Sequence, residues 1–158
     1  MNKELLKEAA DHLSLFTINL ESEKVQTAKD VCPEFQQYAE LAIQMRNDPV
    51  SAGTLAVLSE QGEQEVLVYK HAMAMRVVNE HEADEDGQPQ ILLEIQTTYR
   101  VSYSIKDGLP SQEAMAEFAL HNVPHHIWPF WREQVNATVL KAGLPSVVIP
   151  MRHYKASE

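Results

Sequence analysis

The chain has 158 residues, of which 44% are apolar, and a net charge of −10. That length suits one domain with a core of its own, and the acidic balance argues against nucleic acid or an anionic membrane as partner. The only cysteine, Cys32, excludes an intrachain disulfide and fits a reducing compartment.

Lacking a partner motif, Cys32 reads as a small buried side chain. No apolar run is long enough to span a bilayer. Lys3, Glu4, Lys7, Glu8 and Asp11 interrupt the segment where a signal peptide would need an unbroken apolar stretch. The expectation is a cytoplasmic protein.

Residues 1–13 read as a short amphipathic helix, with Leu5, Leu6, Ala9 and Leu13 on one side. Residues 15–106 read as an antiparallel sheet, with strands at about 15–27, 39–58, 64–80 and 90–106. Phe16, Ile18 and Leu20 alternate in the first. Leu41, Ile43 and Met45 alternate in the second until Asn47, Asp48 and Pro49 interrupt, and a short apolar run, Leu55 to Leu58, follows. Gln61-Gly62 suggests a hairpin turn. In the third strand Leu67, Tyr69, Met73, Met75 and Val77 share a face. The acidic stretch from Asn79 to Gln90, with Asp86-Gly87 and Pro89, reads as a loop.

The fourth strand is the clearest. Ile91, Leu93, Ile95, Tyr99, Val101, Tyr103 and Ile105 point one way, and the intervening polar residues, Glu94 and Arg100 among them, point the other. One face is therefore buried and one wet. A strand of roughly 50 Å is long enough to expect strong twist or a bulge. Asp107-Gly108 and Pro110 end the sheet.

Residues 111–143 read as two helices. Ser111 caps the first, which carries Met115, Phe118 and Ala119 and is stopped by Asn122 and Pro124. Pro129 opens the second, whose stripe is Trp131, Val135, Thr138, Val139 and Ala142, with Gly143 as the left-handed cap. Residues 144–151 form an apolar extended strip. The whole is a single α+β domain: a four-stranded antiparallel sheet, meander-like, with helices packed on one side.

Catalytic chemistry finds no foothold. G-x-S-x-G, P-loop, GxGxxG and HExxH patterns are all absent, so neither enzyme activity nor a cofactor is expected. His121 and His125 have the spacing of helical metal ligands, with His126 beside them. Pro124 argues against a continuous helix there, and no second Cys or His cluster completes the set. The acidic run Glu80, Glu82, Asp84, Glu85 and Asp86 lacks the spacing of a calcium loop and reads as solvated.

Residues 122–151 read NVPHHIWPFWREQVNATVLKAGLPSVVIPM. This segment resembles the SecB family pattern: an apolar pair, Pro, an aromatic and Arg-Glu, here Ile127, Trp128, Pro129, Phe130, Arg132 and Glu133. A helix follows, then Gly143, Leu144, Pro145, Val147, Ile149, Pro150 and Met151 in matching order and spacing. The stretch Leu92 to Gln96 is similar to the family's apolar–Glu–apolar–Gln motif on the last strand.

The resemblance implies an ATP-independent chaperone for unfolded or non-native polypeptides, assembled as a homotetramer (a dimer of dimers), with a SecA-type translocase ATPase as a possible partner in protein export. The alternative it implies is a SecB-like chaperone dedicated to one partner, such as an antitoxin of a toxin–antitoxin system. Aromatic and flexible apolar side chains bury large area without fixed geometry. The client-binding candidates are accordingly Trp128, Phe130, Trp131, Leu144, Val147, Ile149 and Met151. Ile149→Asp is expected to abolish client holding and leave the fold intact. Glu94, on the wet sheet face, is the candidate docking contact for a basic partner.

Overall fold

A computed structural model describes residues 1–28, 32, 41–59, 62–83 and 87–150. The elements in chain order are α1 (Lys3–His12), β1 (Leu13–Thr27), β2 (Leu41–Ser59), β3 (Gly62–Ala83), β4 (Pro89–Ile105) and α2 (Gln112–Lys141). Asn2 caps α1, its side-chain oxygen accepting from the Glu4 and Leu5 amides. The α+β, antiparallel architecture is the one expected.

The strand order is β1-β4-β3-β2. Thus β2, β3 and β4 form a meander, but β1 does not lie beside β2. It pairs along the far edge of β4, from Leu13 opposite Ile105 to Thr27 opposite Leu93, a Greek-key arrangement. The physical reason is burial. The two strands with the longest apolar alternation, β3 and β4, take the centre, and the more polar β1 and β2 take the edges. Pro49 needs such an edge, since it cannot donate to a second neighbour. It interrupts nothing: β2 runs through it, with Val50 looped out as a bulge between Pro49 and Ser51.

The expected wet and buried faces are present. Leu67, Tyr69, Met73, Met75 and Val77 are buried on β3, together with His71, and Leu93, Ile95, Tyr99, Val101 and Tyr103 on β4. The expected bulge is present too. Val78 pairs with Ile91 and Val77 with Leu93, so Leu92 is the extra residue. This slip buries Leu92 and leaves Ile91 exposed, contrary to the simple alternation. The hairpin strands also reach further than turn chemistry suggests, because Val78, Asn79 and Leu92 are buried and carry the ladder onward. Glu80 and Glu82 therefore belong to β3; Asp84 to Asp86, like Gln61, lie outside the described residues. Cys32 is exposed, not buried.

In place of two helices there is one, α2, which passes through both Pro124 and Pro129. Pro inside a helix costs roughly 3 kcal/mol. Against that stands a stripe at i+4 spacing, Ala119, Val123, Ile127, Trp131, Val135 and Val139, all of it buried against the sheet. Each large buried side chain contributes about 1.5–3 kcal/mol, so packing outweighs the two local breaks. Leu120 and His125, whose carbonyls the missing amides would have served, are exposed to solvent. Among the described residues no helix is long and apolar enough to cross a membrane.

Candidate functional site

The end of α2 sets up the site. Gly143 adopts φ +76°, the Leu144 amide donates to the Val139 carbonyl at 3.2 Å, and the Gly143 amide donates to Leu140 at 3.1 Å. This is a Schellman termination, completed by buried Leu144 against buried Val139. It turns the chain out of the helix, and Pro145 prevents any return. Residues 144–150 then run without helical or strand pairing. At the far end the Trp128 indole Nε1 donates to the Pro150 carbonyl at 3.0 Å.

Between this strip and the sheet lies an apolar groove of ≈ 320 Å³. Leu41 and Ile43 on β2 form one wall, Val77 on β3 the floor, and Leu144, Pro145, Val147 and Val148 the other wall. Ile43 pairs with Val77, so both face the same side of the sheet. Because β2 is an edge strand and α2 does not cover this corner, Ile43 and Met45 are exposed. Val148 is 86% exposed.

The sequence candidates separate into distinct settings. Leu144 and Val147 line the groove. Trp128 is half-buried, packs against Trp131 in a tilted arrangement with ring centroids 5.1 Å apart, and pins the strip. Phe130 is exposed on α2. Trp131 and Ile149, by contrast, are sealed in the core, and a client reaches neither in this conformation. The expectation that Ile149→Asp spares the fold therefore does not follow from its position. Met151 lies outside the described residues. Val148, within the apolar strip, lines the groove as well, and Leu41, Ile43 and Val77 are groove residues that the sequence did not single out. The available signal was the alternation of Leu41, Ile43 and Met45 on a strand that proves to have one bare side.

Glu94 is on the opposite, wet face, where Arg76 Nε donates to its Oε1 at 2.8 Å. The Gln96 side chain, and secondarily Arg76, hold its carboxyl below the usual range. The histidines are engaged locally: His121 lies 3.3 Å from Glu117, and His126 Nδ1 lies 2.8 Å from the Tyr103 hydroxyl. Among the described residues no group of three His, Cys, Asp or Glu side chains converges as a metal site would require.

No family model and no curated protein matches the sequence. Solved structures do match in shape. One is a SecB-like chaperone of Mycobacterium tuberculosis, in complex with a ChAD peptide from the HigA1 antitoxin. The TM-score is 0.74 at 13% identity, covering 98% of this chain and 100% of that one. The fold is SecB-like. The SecB-like arrangement thus extends over nearly the whole chain.

Proposed function

We propose that this protein is a non-enzymatic, ATP-independent chaperone that holds extended apolar polypeptide segments in the groove between β2 and residues 144–150. The observation that carries the reading is the pairing of an apolar sheet edge, Leu41 and Ile43, with an apolar strip, Val147 and Val148, neither of which has a further strand partner among the described residues. A client segment could bury alternate side chains between them and hydrogen-bond to the outer edge of β2, which pairs with no other strand among the described residues, as in strand addition. Each large side chain so buried contributes about 1.5–3 kcal/mol before ordering is subtracted. A few of them give reversible, tolerant holding.

The resemblance of residues 122–151 supports the wider picture: a dimer of dimers, with a SecA-type ATPase receiving clients in export. Exposed Leu15, Leu20 and Val25 along β1 are apolar surface that such an assembly would cover. A second reading, a chaperone dedicated to one client, is favoured by the M. tuberculosis neighbour, whose bound peptide comes from an antitoxin.

The deciding experiment is suppression of aggregation of several unrelated, chemically unfolded proteins without ATP, with the native mass recorded. Suppression across the panel, lost in Ile43→Glu, supports the general reading. Suppression confined to a single partner supports the dedicated one. A folded protein with no effect on any unfolded chain, or full activity in Ile43→Glu, refutes the groove.

A further inference from the structure

On the sheet face away from α2, the register aligns side chains from all four strands. Lys24 pairs with Gln96, Gln96 with Ala74, and Ala74 with Arg46, making one row. The next row is Ser22, Thr98, Ala72 and Asp48, and the row on the other side holds Glu94, Arg76 and Gln44. With neighbouring strands about 4.8 Å apart, Lys24 and Arg46 stand roughly 14 Å from one another. Between them the floor is low, because Ala72 and Ala74 separate the long side chains of Lys70 and Arg76 on β3. A hollow of ≈ 610 Å³ lies over this floor.

The charge on this face runs against that of the chain. Lys24, Arg46, Lys70, Arg76 and Arg100 are its cations. The acids among them are all occupied: Glu21 by Lys70 at 2.5 Å, Asp48 by Arg46 at 2.6 Å and Glu94 by Arg76 at 2.8 Å. Lys24 and Arg100 are exposed and make no close ion pair among the described residues, though Lys24 acts on the Glu94 carboxylate through space. The middle of the face is thus net positive by two charges on a chain of net −10. Glu80 and Glu82 return the surface to acidic only beyond Val78, toward the hairpin.

We propose that this hollow, bordered by Lys24, Arg46 and Arg76 and continued by the row of Lys70 and Arg100 beyond it, is a second binding site, distinct from the apolar groove, for an acidic extended peptide segment. Successive rows on the face are two residues apart, about 7 Å, which equals the spacing of alternate side chains in an extended chain. Lys70 to Arg76 spans about 20 Å, room for about seven residues. Acids at the first, third and seventh positions would therefore meet Arg76, Lys24 or Arg46, and Lys70 or Arg100, while the fifth position lies over the cation-free row of Ser22, Thr98, Ala72 and Asp48. The existing surface pairs are weak and exchangeable, so the arginines can turn to a new carboxylate. Nucleic acid fits less well. The floor of Ala, Thr and Gln offers no aromatic for base stacking, and the chain's overall charge repels a long polyanion.

The test is fluorescence anisotropy with a labelled seven-residue peptide carrying Glu at positions one, three and seven and Thr elsewhere, beside its Lys-for-Glu counterpart, at low and physiological salt. The acidic peptide should bind saturably and the basic one should not, with affinity falling as salt rises. Lys24→Glu with Arg100→Glu should weaken it about tenfold. The milder Lys24→Gln with Arg100→Gln, checked for unchanged circular dichroism, should weaken it less. Absence of saturable binding, tighter binding of the basic peptide, or indifference to both double variants overturns the proposal. So does a matched-charge single-stranded oligonucleotide that outcompetes the peptide through the same residues, which would reassign the hollow to phosphate.

Discussion

The Trp128 indole N–H hydrogen-bonds the Pro150 carbonyl at 3.0 Å, and the same ring packs at a tilt against core residue Trp131. One side chain therefore ties the end of the strip back to the helix that launches it, joining residues 22 apart in the chain. The strip is held at both ends, by the Leu144 termination and by this bond, while its middle carries the exposed Val148. Trp128→Phe keeps most of the ring and deletes the donor. It should lower stability by about 1 kcal/mol, speed amide exchange across residues 144–150, and weaken client holding by loosening one wall of the groove. Hydrogen exchange by mass spectrometry checks it; unchanged protection of the strip would remove the pinning role.

Val148 and Ile149 are adjacent and face opposite ways. Ile149 is 1% exposed and Val148 86%. An aspartate at 149 places a charge in the core and should destabilise by at least about 3 kcal/mol. The same residue at 148 faces water and should change stability by no more than about 0.5 kcal/mol, yet should abolish holding of apolar clients. Urea denaturation paired with aggregation assays separates the two. A Val148→Asp protein that holds clients normally would exclude the strip from the site.

How much of this was legible in the sequence depends on range. The faces of β3 and β4 follow from period-two alternation, because a pleated strand allows no other sorting. The Gly143–Pro145 exit follows from equally local chemistry. The place of β1 does not, since nothing in Leu13 to Thr27 says which strand it joins. Pro124 and Pro129 carry strong local stop signals, and only contact with the sheet makes the Ala119-to-Val139 stripe worth more. In the site, the apolar character of 144–151 was visible, but its division into buried Ile149 and exposed Val148 depends on where the strip lies. Leu41 and Ile43 look like ordinary strand residues until β2 is known to be an uncovered edge.

The prolines of α2 differ in setting, and this gives a further prediction. Pro124 is buried and Pro129 exposed. Replacing Pro129 with Ala restores an amide in the helix interior and sacrifices little packing. The unfolded chain regains about 0.4–1 kcal/mol of entropy, which offsets part of the gain. A net stabilisation of about 1–2 kcal/mol is expected, read as a higher urea midpoint at unchanged slope. Pro124→Ala should gain less, because the buried ring is lost. A lower midpoint for Pro129→Ala would show that the ring is itself required by the packing.

Acid should weaken the fold in two separate windows. His126 is partly buried beside the core, and burial, followed by the neighbouring His125, pushes its pKa below the ordinary 6.5. The folded state thus favours the neutral ring, which meets the Tyr103 hydroxyl at 2.8 Å. The unfolded chain takes up a proton near 6.5 and the folded one only at lower pH, so stability falls as pH drops below about 6.5 and levels off once both forms are protonated. Glu94 acts lower down. Its carboxyl is depressed by Gln96 and then Arg76 from the ordinary 4.5, so its contribution is whole above 4.5 and lost as pH falls through the folded value. Thermal melts between pH 8 and 3 should show both declines. His126→Gln should flatten the first and leave the second. A melting temperature that stays level from pH 7 to 5 in the parent protein, or an unchanged slope in His126→Gln, would show that this histidine does not couple protonation to folding.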